Sequence, residues 1–173
     1  MAMSNLVLIG MTGSGKTTIG KELSRRLPLS FIDMDEYIEA VSGFSIPELF
    51  KKGEEPFRSL ETDACKALAA KKNSIISTGG GAVVKEANHQ WLKKTGLIIW
   101  IDRPVRLIAD DIQIEHRPLL KDGTDVLCDL YKEREKIYRQ LADIIVINDR
   151  SLEETIDSLI EQLPKQYRKG DVS

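Results

Sequence analysis

Two cysteines and two histidines are all that 173 residues contain of the usual metal and redox ligands. Cys65 and Cys128 stand alone and form no C-x-x-C pair, so neither a disulfide framework nor a dithiol motif is expected. His89 and His116 are equally isolated, which leaves no ligand spacing for zinc. No apolar run approaches the roughly 20 residues that a membrane-spanning helix needs. The opening run "NLVLIG" is too short for a signal peptide and passes directly into a glycine loop. Excess charge is missing too: Lys+Arg of 25 against Asp+Glu of 27 leaves a net charge of -2. That balance argues against a protein that coats nucleic acid or an anionic membrane. Repeats, low-complexity tracts and linkers are absent, so the expectation is one cytoplasmic domain over residues 1–173.

What is present is an alternation. Short continuous apolar runs at Asn5–Ile9, Ser30–Ile32, Ser74–Ser77, Gly96–Asp102 and Asp143–Ile147 read as strands buried on both faces. Helical patterns lie between them: one through Leu27, one through Glu39, and others at Pro47–Lys51, Phe57–Lys71, Glu86–Lys93, after Pro104, at Val126–Leu141 and at Leu152–Leu163. Strands that alternate with helices give an α/β fold with a parallel sheet covered on both faces. "IEHRPLLKDGTD" breaks the pattern with Pro118 and Gly123, and the residues from Pro164 onward read as a frayed polar tail.

"GMTGSGKT", Gly10–Thr17, matches G-x-x-x-x-G-K-[ST] between a strand and a helix. In that setting the backbone N–H groups of a glycine-rich loop surround ATP phosphates, helped by the helix N-terminus. Gly13, Ser14, Gly15, Lys16, Thr17 and Thr18 are the expected nucleotide contacts, with Lys16 on the β- and γ-phosphates and the Thr17 hydroxyl on Mg²⁺. No N-K-x-D segment exists to read guanine, and the third strand ends in glycines rather than Asp-Glu. A GTPase switch and a transport ATPase are thereby disfavoured. Transfer of the γ-phosphoryl group to a small acceptor is left.

Four features could form an acceptor pocket. Asp33 and Asp35 follow the second strand, and alternate residues of a continuing strand would point the same way. Taken alone, Asp35 reads better as a helix N-cap than as a site residue. Arg58 and Glu61 share a helix face at i and i+3, a spacing that also suits an ordinary surface ion pair. Gly79, Gly80 and Gly81 end the third strand, and three glycines in a row imply close approach to the backbone. Arg117, in "HRPLL", could swing onto ATP as a lid residue.

The P-loop, D-x-D, F-R-x-x-E, G-G-G, R-P-L-L and an arginine four residues before a tyrosine occur in this order. Together they resemble the shikimate kinase family over about Asn5 to Leu163. The resemblance implies a nucleoside-monophosphate-kinase-like core, a five-stranded parallel sheet of order 2-3-1-4-5, with a substrate-binding segment near 34–61 and a lid near 112–124. It implies transfer of the ATP γ-phosphoryl to the 3-hydroxyl of shikimate, by a monomer, on the route to chorismate. Asp35 would bind the shikimate hydroxyls and act as base, and Asp33 would support Mg²⁺ through water. Arg58 and Arg134 would pair with the shikimate carboxylate, Glu61 would orient Arg58, and the backbone near Gly80 would meet the substrate. Arg117, Lys16 and Arg150 would serve the nucleotide. A Cβ at Gly79–Gly81 would occupy space that the substrate needs. The chain departs from the family at Asp110, where many members have arginine, and at "REKIY", where many have Arg-x-Pro-Leu-Tyr. Asp102, ending an apolar strand, is the rival to Asp33. A gluconate kinase-like enzyme, a non-catalytic binding module and a hydrolysing switch are the competing classes.

Overall fold

The computed structural model describes residues 4–114 and 121–168. Five strands, β1 (Asn5–Ile9), β2 (Ser30–Asp33), β3 (Ser74–Ser77), β4 (Gly96–Asp102) and β5 (Ile144–Ile147), form one sheet in the order β2-β3-β1-β4-β5. Every pairing is parallel. The helices are α1 (Lys16–Arg26), α2 (Met34–Ser42), α3 (Ile46–Lys51), α4 (Glu54–Leu68), α5 (Glu86–Thr95), α6 (Val105–Ile114), α7 (Lys121–Leu141), α8 (Leu152–Gln162) and α9 (Lys165–Arg168).

The strand interiors are continuously apolar because side chains alternate between two cores. Val7, Ile9, Ile76, Ile98 and Trp100 enter one cluster with α2–α7 residues such as Met34, Phe57, Leu92 and Tyr138. Leu6, Leu8, Ile75, Ile99 and Ile101 enter the other, under α1 and α8 residues such as Ile19, Leu23, Ile156 and Leu159. At the lower end of the sheet, the buried Asn5 side chain donates to Lys71 O at 2.8 Å and Thr95 O at 3.1 Å. It also accepts from Ser74 N at 2.9 Å.

Central β1 has β3 on one side and β4 on the other. The chain leaves β1 for β2 and β3, then crosses to β4 and β5. The crevice at the carboxyl end of β1 is therefore the switch point where ligands of open α/β sheets bind.

Several boundaries differ from expectation, for physical reasons. α4 starts at Glu54, ahead of Pro56, because a first-turn residue needs no intrahelical N–H partner. α7 starts at Lys121 and runs through Gly123, at a propensity cost of about 1 kcal/mol relative to alanine that the rest of a 21-residue helix absorbs. The expected lid near 112–124 is thus helical at both ends, and its centre, with Arg117, lies outside the described residues. The polar tail is not frayed at its start. α9 turns Tyr167 back onto the α1–α8 core, where it is 2% exposed.

Tyr167→Ala is expected to destabilise the fold by about 3–5 kcal/mol, as for other large aromatic truncations. Urea denaturation checks it; an unchanged midpoint would mean that α9 does not dock in solution.

Candidate active site

β1 delivers the chain to the P-loop, which folds back over the end of the sheet. Gly13 (φ 82) and Gly15 (φ 98) take left-handed conformations that a side chain would strain. Gly15 is also the N-cap of α1, and a Cβ there would stand 2.6 Å from Asn148 Nδ2. That amide donates to Ser14 O at 2.8 Å and braces the loop from the end of β5. α1 has neither an acidic residue in its first turn nor a side-chain cap. Its N-terminal amides are left for an anion.

Lys16, 7% exposed, donates to Gly10 O at 2.7 Å and Met11 O at 2.8 Å. Burial lowers its pKa to about 8, against the raising effect of Asp35 and Asp33. The Ser14 hydroxyl is buried with no hydrogen-bond partner among the described residues. Thr17 Oγ1 donates to Asp33 Oδ2 at 3.1 Å, so the two expected metal-side groups already touch.

Asp33 and Asp35 reach the same cavity by a different route from strand alternation. β2 stops at Asp33, which is the N-cap of α2 and accepts from Glu36 N at 3.1 Å. Asp35 lies in the first turn of that helix and is not the cap. Burial raises the Asp35 pKa, and the neighbouring Asp33 charge adds to this while Lys16 opposes it.

The pair on α4 is not a surface pair. Arg58 Nη1 donates to Glu61 Oε1 at 2.8 Å, with side chains only 12% and 1% exposed. Burial pushes the Glu61 pKa up, Arg58 holds it down, and the charges of Asp35 and Arg134 are also felt there. The charge of Arg134, on α7, is felt at the buried Tyr138, whose hydroxyl donates to Gly80 O at 2.8 Å. Tyr138 in turn stacks on Trp100 with centroids 5.6 Å apart. Residues from α2, α4 and α7 thus converge beside the P-loop.

The protein's own atoms also crowd the three glycines, in addition to any space a substrate would take. A Cβ at Gly81 would meet the Arg58 guanidinium at 2.5 Å. One at Gly80 would stand 2.6 Å from Thr12 Oγ1 and 2.9 Å from Thr12 N of the P-loop. One at Gly79 would press on the Asp35 and Glu61 carboxylates, each at 3.1 Å. None of the three has a positive φ, so the requirement is room and not conformation.

A cavity of about 320 Å³ is lined by Gly13, Gly15, Lys16, Thr17, Thr18, Asp33, Asp35, Gly79 and Gly80 among the expected residues. Ser14 is buried behind it. Arg58, Glu61 and Gly81 stand just outside this lining. Arg150 is not brought in: it is exposed and 4.0 Å from Asp149. Asp102 turns away to accept from the Tyr131 hydroxyl at 3.1 Å. Sequence reasoning missed Arg103 and Asp111, which line the cavity, and the Asn148 brace. Arg103 had a signal, since it directly follows a strand on the carboxyl edge of the sheet.

A phosphate cradle that opens straight onto a chamber of carboxylates and guanidiniums sets donor and acceptor side by side. That is the construction of a P-loop small-molecule kinase. Comparison with known proteins narrows the class. The family model for shikimate kinase matches residues 12–164. A shikimate kinase of Clostridium botulinum is 49% identical over 164 residues, 94% of this chain and 97% of the relative. Shikimate kinase from Acinetobacter baumannii, solved in complex with shikimate, superposes with a TM-score of 0.84 at 31% identity, covering 92% of each chain. The Aquifex aeolicus shikimate kinase structure gives 0.77 at 37% identity, covering 96% of this chain and 99% of that one. The chain belongs to the shikimate kinase family.

Gly80→Ala and Gly81→Ala are expected to fail differently. The first displaces P-loop backbone and should weaken ADP binding. The second displaces Arg58, and a misplacement near 1 Å costs about a hundredfold in turnover, with ADP affinity kept. Calorimetry with ADP beside steady-state turnover separates them; equal ADP losses would refute the division.

Proposed function

We propose that this chain transfers the γ-phosphoryl group of ATP to the 3-hydroxyl of shikimate, giving shikimate 3-phosphate and ADP, through the residues named here. The reading rests above all on Asp35. It lines one cavity with the P-loop and feels the charges of both Lys16 and Arg58. As the new O–P bond forms, Asp35 takes the hydroxyl proton and the β-phosphate oxygen leaves with the bonding electrons. Lys16 and the α1 amides meet charge that grows on the phosphoryl oxygens.

Arg58 and Arg134 grip the shikimate carboxylate, since a guanidinium fork matches a carboxylate. Glu61 orients Arg58, and the backbone at Gly79–Gly81 presents its flat edge to the ring. Thr17 and Asp33 suit Mg²⁺: both offer hard oxygens, already 3.1 Å apart. When bound, the ion would neutralise phosphate charge. Thr17 would ligate it directly and Asp33 through water. Arg117 and Arg150 stay candidate nucleotide contacts on the resemblance alone.

The unit we propose is a cytoplasmic monomer, because every group of this reading comes from one chain. No helix among the described residues is long and apolar enough to cross a membrane. The net charge of -2 gives no reason to invoke a nucleic-acid or membrane partner.

Release of ADP with shikimate, gluconate and nucleoside monophosphates as acceptors tests the substrate. Only shikimate should support turnover. Arg58→Ala or Arg134→Ala should weaken shikimate binding by roughly tenfold to a hundredfold, the loss of one charge-assisted contact. Arg→Lys should rescue in part. Asp35→Asn should cost mainly turnover. Normal shikimate affinity in the arginine variants, or normal turnover in Asp35→Asn, would defeat this pocket.

A second outcome concerns protons. Lys16 titrates near pH 8 in the empty enzyme, and phosphates beside it raise its pKa. Nucleotide binding between about pH 8 and 9 should therefore take up a proton. Calorimetry in buffers of different ionisation enthalpy detects it, and Lys16→Met should abolish it.

A further inference from the structure

We infer that Arg103 is a second nucleotide-phosphate contact, held in reserve by Asp111. This rests on the kinase reading above. Arg103 directly follows β4, on the same edge of the sheet as the P-loop. Its Nη1 donates to Gly13 O at 3.0 Å, inside the phosphate loop, and also to Asp111 Oδ2. Both bonds use a single nitrogen. Nε and Nη2 have no acceptor among the described residues, so most of the guanidinium's donor capacity is uncommitted.

Placement agrees. Arg103 and Asp111 line the main cavity together with Lys16 and Thr17. They also line a neighbouring cleft of about 210 Å³, with Gly15, Thr18, Asn148 and Leu152. A phosphate chain that leaves the cradle toward this cleft passes the Arg103 side chain. Arg103 is largely covered at 19% exposure, whereas Asp111 is 53% exposed.

Charge supplies the motive. The ionisable side chains that line the main cavity are Lys16 and Arg103 against Asp33, Asp35 and Asp111. With Arg103 paired to Asp111, Lys16 is, among the described residues of that lining, the one cation left to balance two aspartates. A further cation turned toward the phosphates would add to what the α1 amides supply. The bond to a half-exposed carboxylate is weak. A phosphate offers the planar fork a bidentate partner in a better-shielded place. The guanidinium therefore exchanges Asp111 for phosphate when nucleotide arrives.

The test is ADP affinity, measured by calorimetry on the intact chain without shikimate, with adenosine as the phosphate-free control. Arg103→Met should weaken ADP binding roughly tenfold, the loss of one charge-assisted contact. Arg103→Lys should recover part of it, and adenosine binding should not change. Asp111→Asn should act in the opposite direction and tighten ADP severalfold, with a smaller gain in the Arg103→Met background. If the pair only braced Gly13, both single variants would weaken ADP alike, and that outcome overturns the assignment. So does unchanged ADP affinity in Arg103→Met. An equal gain from Asp111→Asn in both backgrounds overturns the reserve role. Wild-type turnover of ATP with shikimate runs alongside. If wild type turns over and Arg103→Met binds ADP normally, only the assignment falls. If wild type releases no ADP with shikimate, the kinase reading falls.

Discussion

A carboxylate with 1% of its surface in water has to be answered, and Glu61 is that carboxylate. Removing one partner of a buried ion pair costs about 3–5 kcal/mol, because the other charge is left stranded. Arg58 is therefore held in one place by a need internal to the fold. Much else around the site follows from this. Gly81 must yield the space in which the guanidinium lies, and Gly79 the space beside the Asp35 and Glu61 carboxylates. Cys65, one turn further along α4, is pushed up to about 12 by burial and by the same Glu61 charge, so its thiol is inert. The residue proposed to grip substrate is set by folding before any substrate arrives, which lowers the entropy lost on binding.

The sheet does the remaining positioning. β1 and β3 lie side by side, and their carboxyl ends pass into the P-loop and the glycine triplet. Thr78 N and Thr78 Oγ1 both donate to Leu8 O, at 3.1 and 2.9 Å, which ties the two exits together. Donor and acceptor chambers are thus neighbours because the strands beneath them are neighbours. α2 joins on the other flank: its cap residue Asp33 touches Thr17 and its first turn carries Asp35. Burial penalises both charged forms, which is why Asp35 rises while Lys16 falls, although the attraction between the two opposes both shifts.

Much of this was legible in the residues themselves. The P-loop declares its own geometry, because only certain glycine spacings let amides face an anion. Buried parallel strands declare themselves as unbroken apolar runs, and three of the five kept their expected bounds. Strand order could come only from resemblance, since periodicity carries no information about which strand lies beside which. Asp33 and Asp35 were identified through strand alternation, yet a cap and a first helical turn bring them together. An Arg-x-x-Glu spacing looks the same whether exposed or buried, so the depth of Arg58–Glu61 had to be seen. Tyr167 was hidden in a polar segment because one anchoring aromatic leaves no periodic pattern. Arg103 was passed over because an arginine before a proline matches no motif; its place after β4 was the one hint, and its bond to Gly13 O had to be seen.

The glycine triplet has a consequence for how such a chain can vary over generations. Each of the three positions is closed by a different neighbour: two carboxylates, P-loop backbone, and a guanidinium. A second substitution that made room at one position would do nothing for the other two. Moving the P-loop would cost the cradle, and shortening Arg58 would strand Glu61. Compensating pairs of changes are therefore scarce here, whereas Val41 on α2 and Phe50 on α3 face solvent and leave their positions free to vary. The segment is a fixed point in sequence space, although none of its three residues has a side chain to contribute.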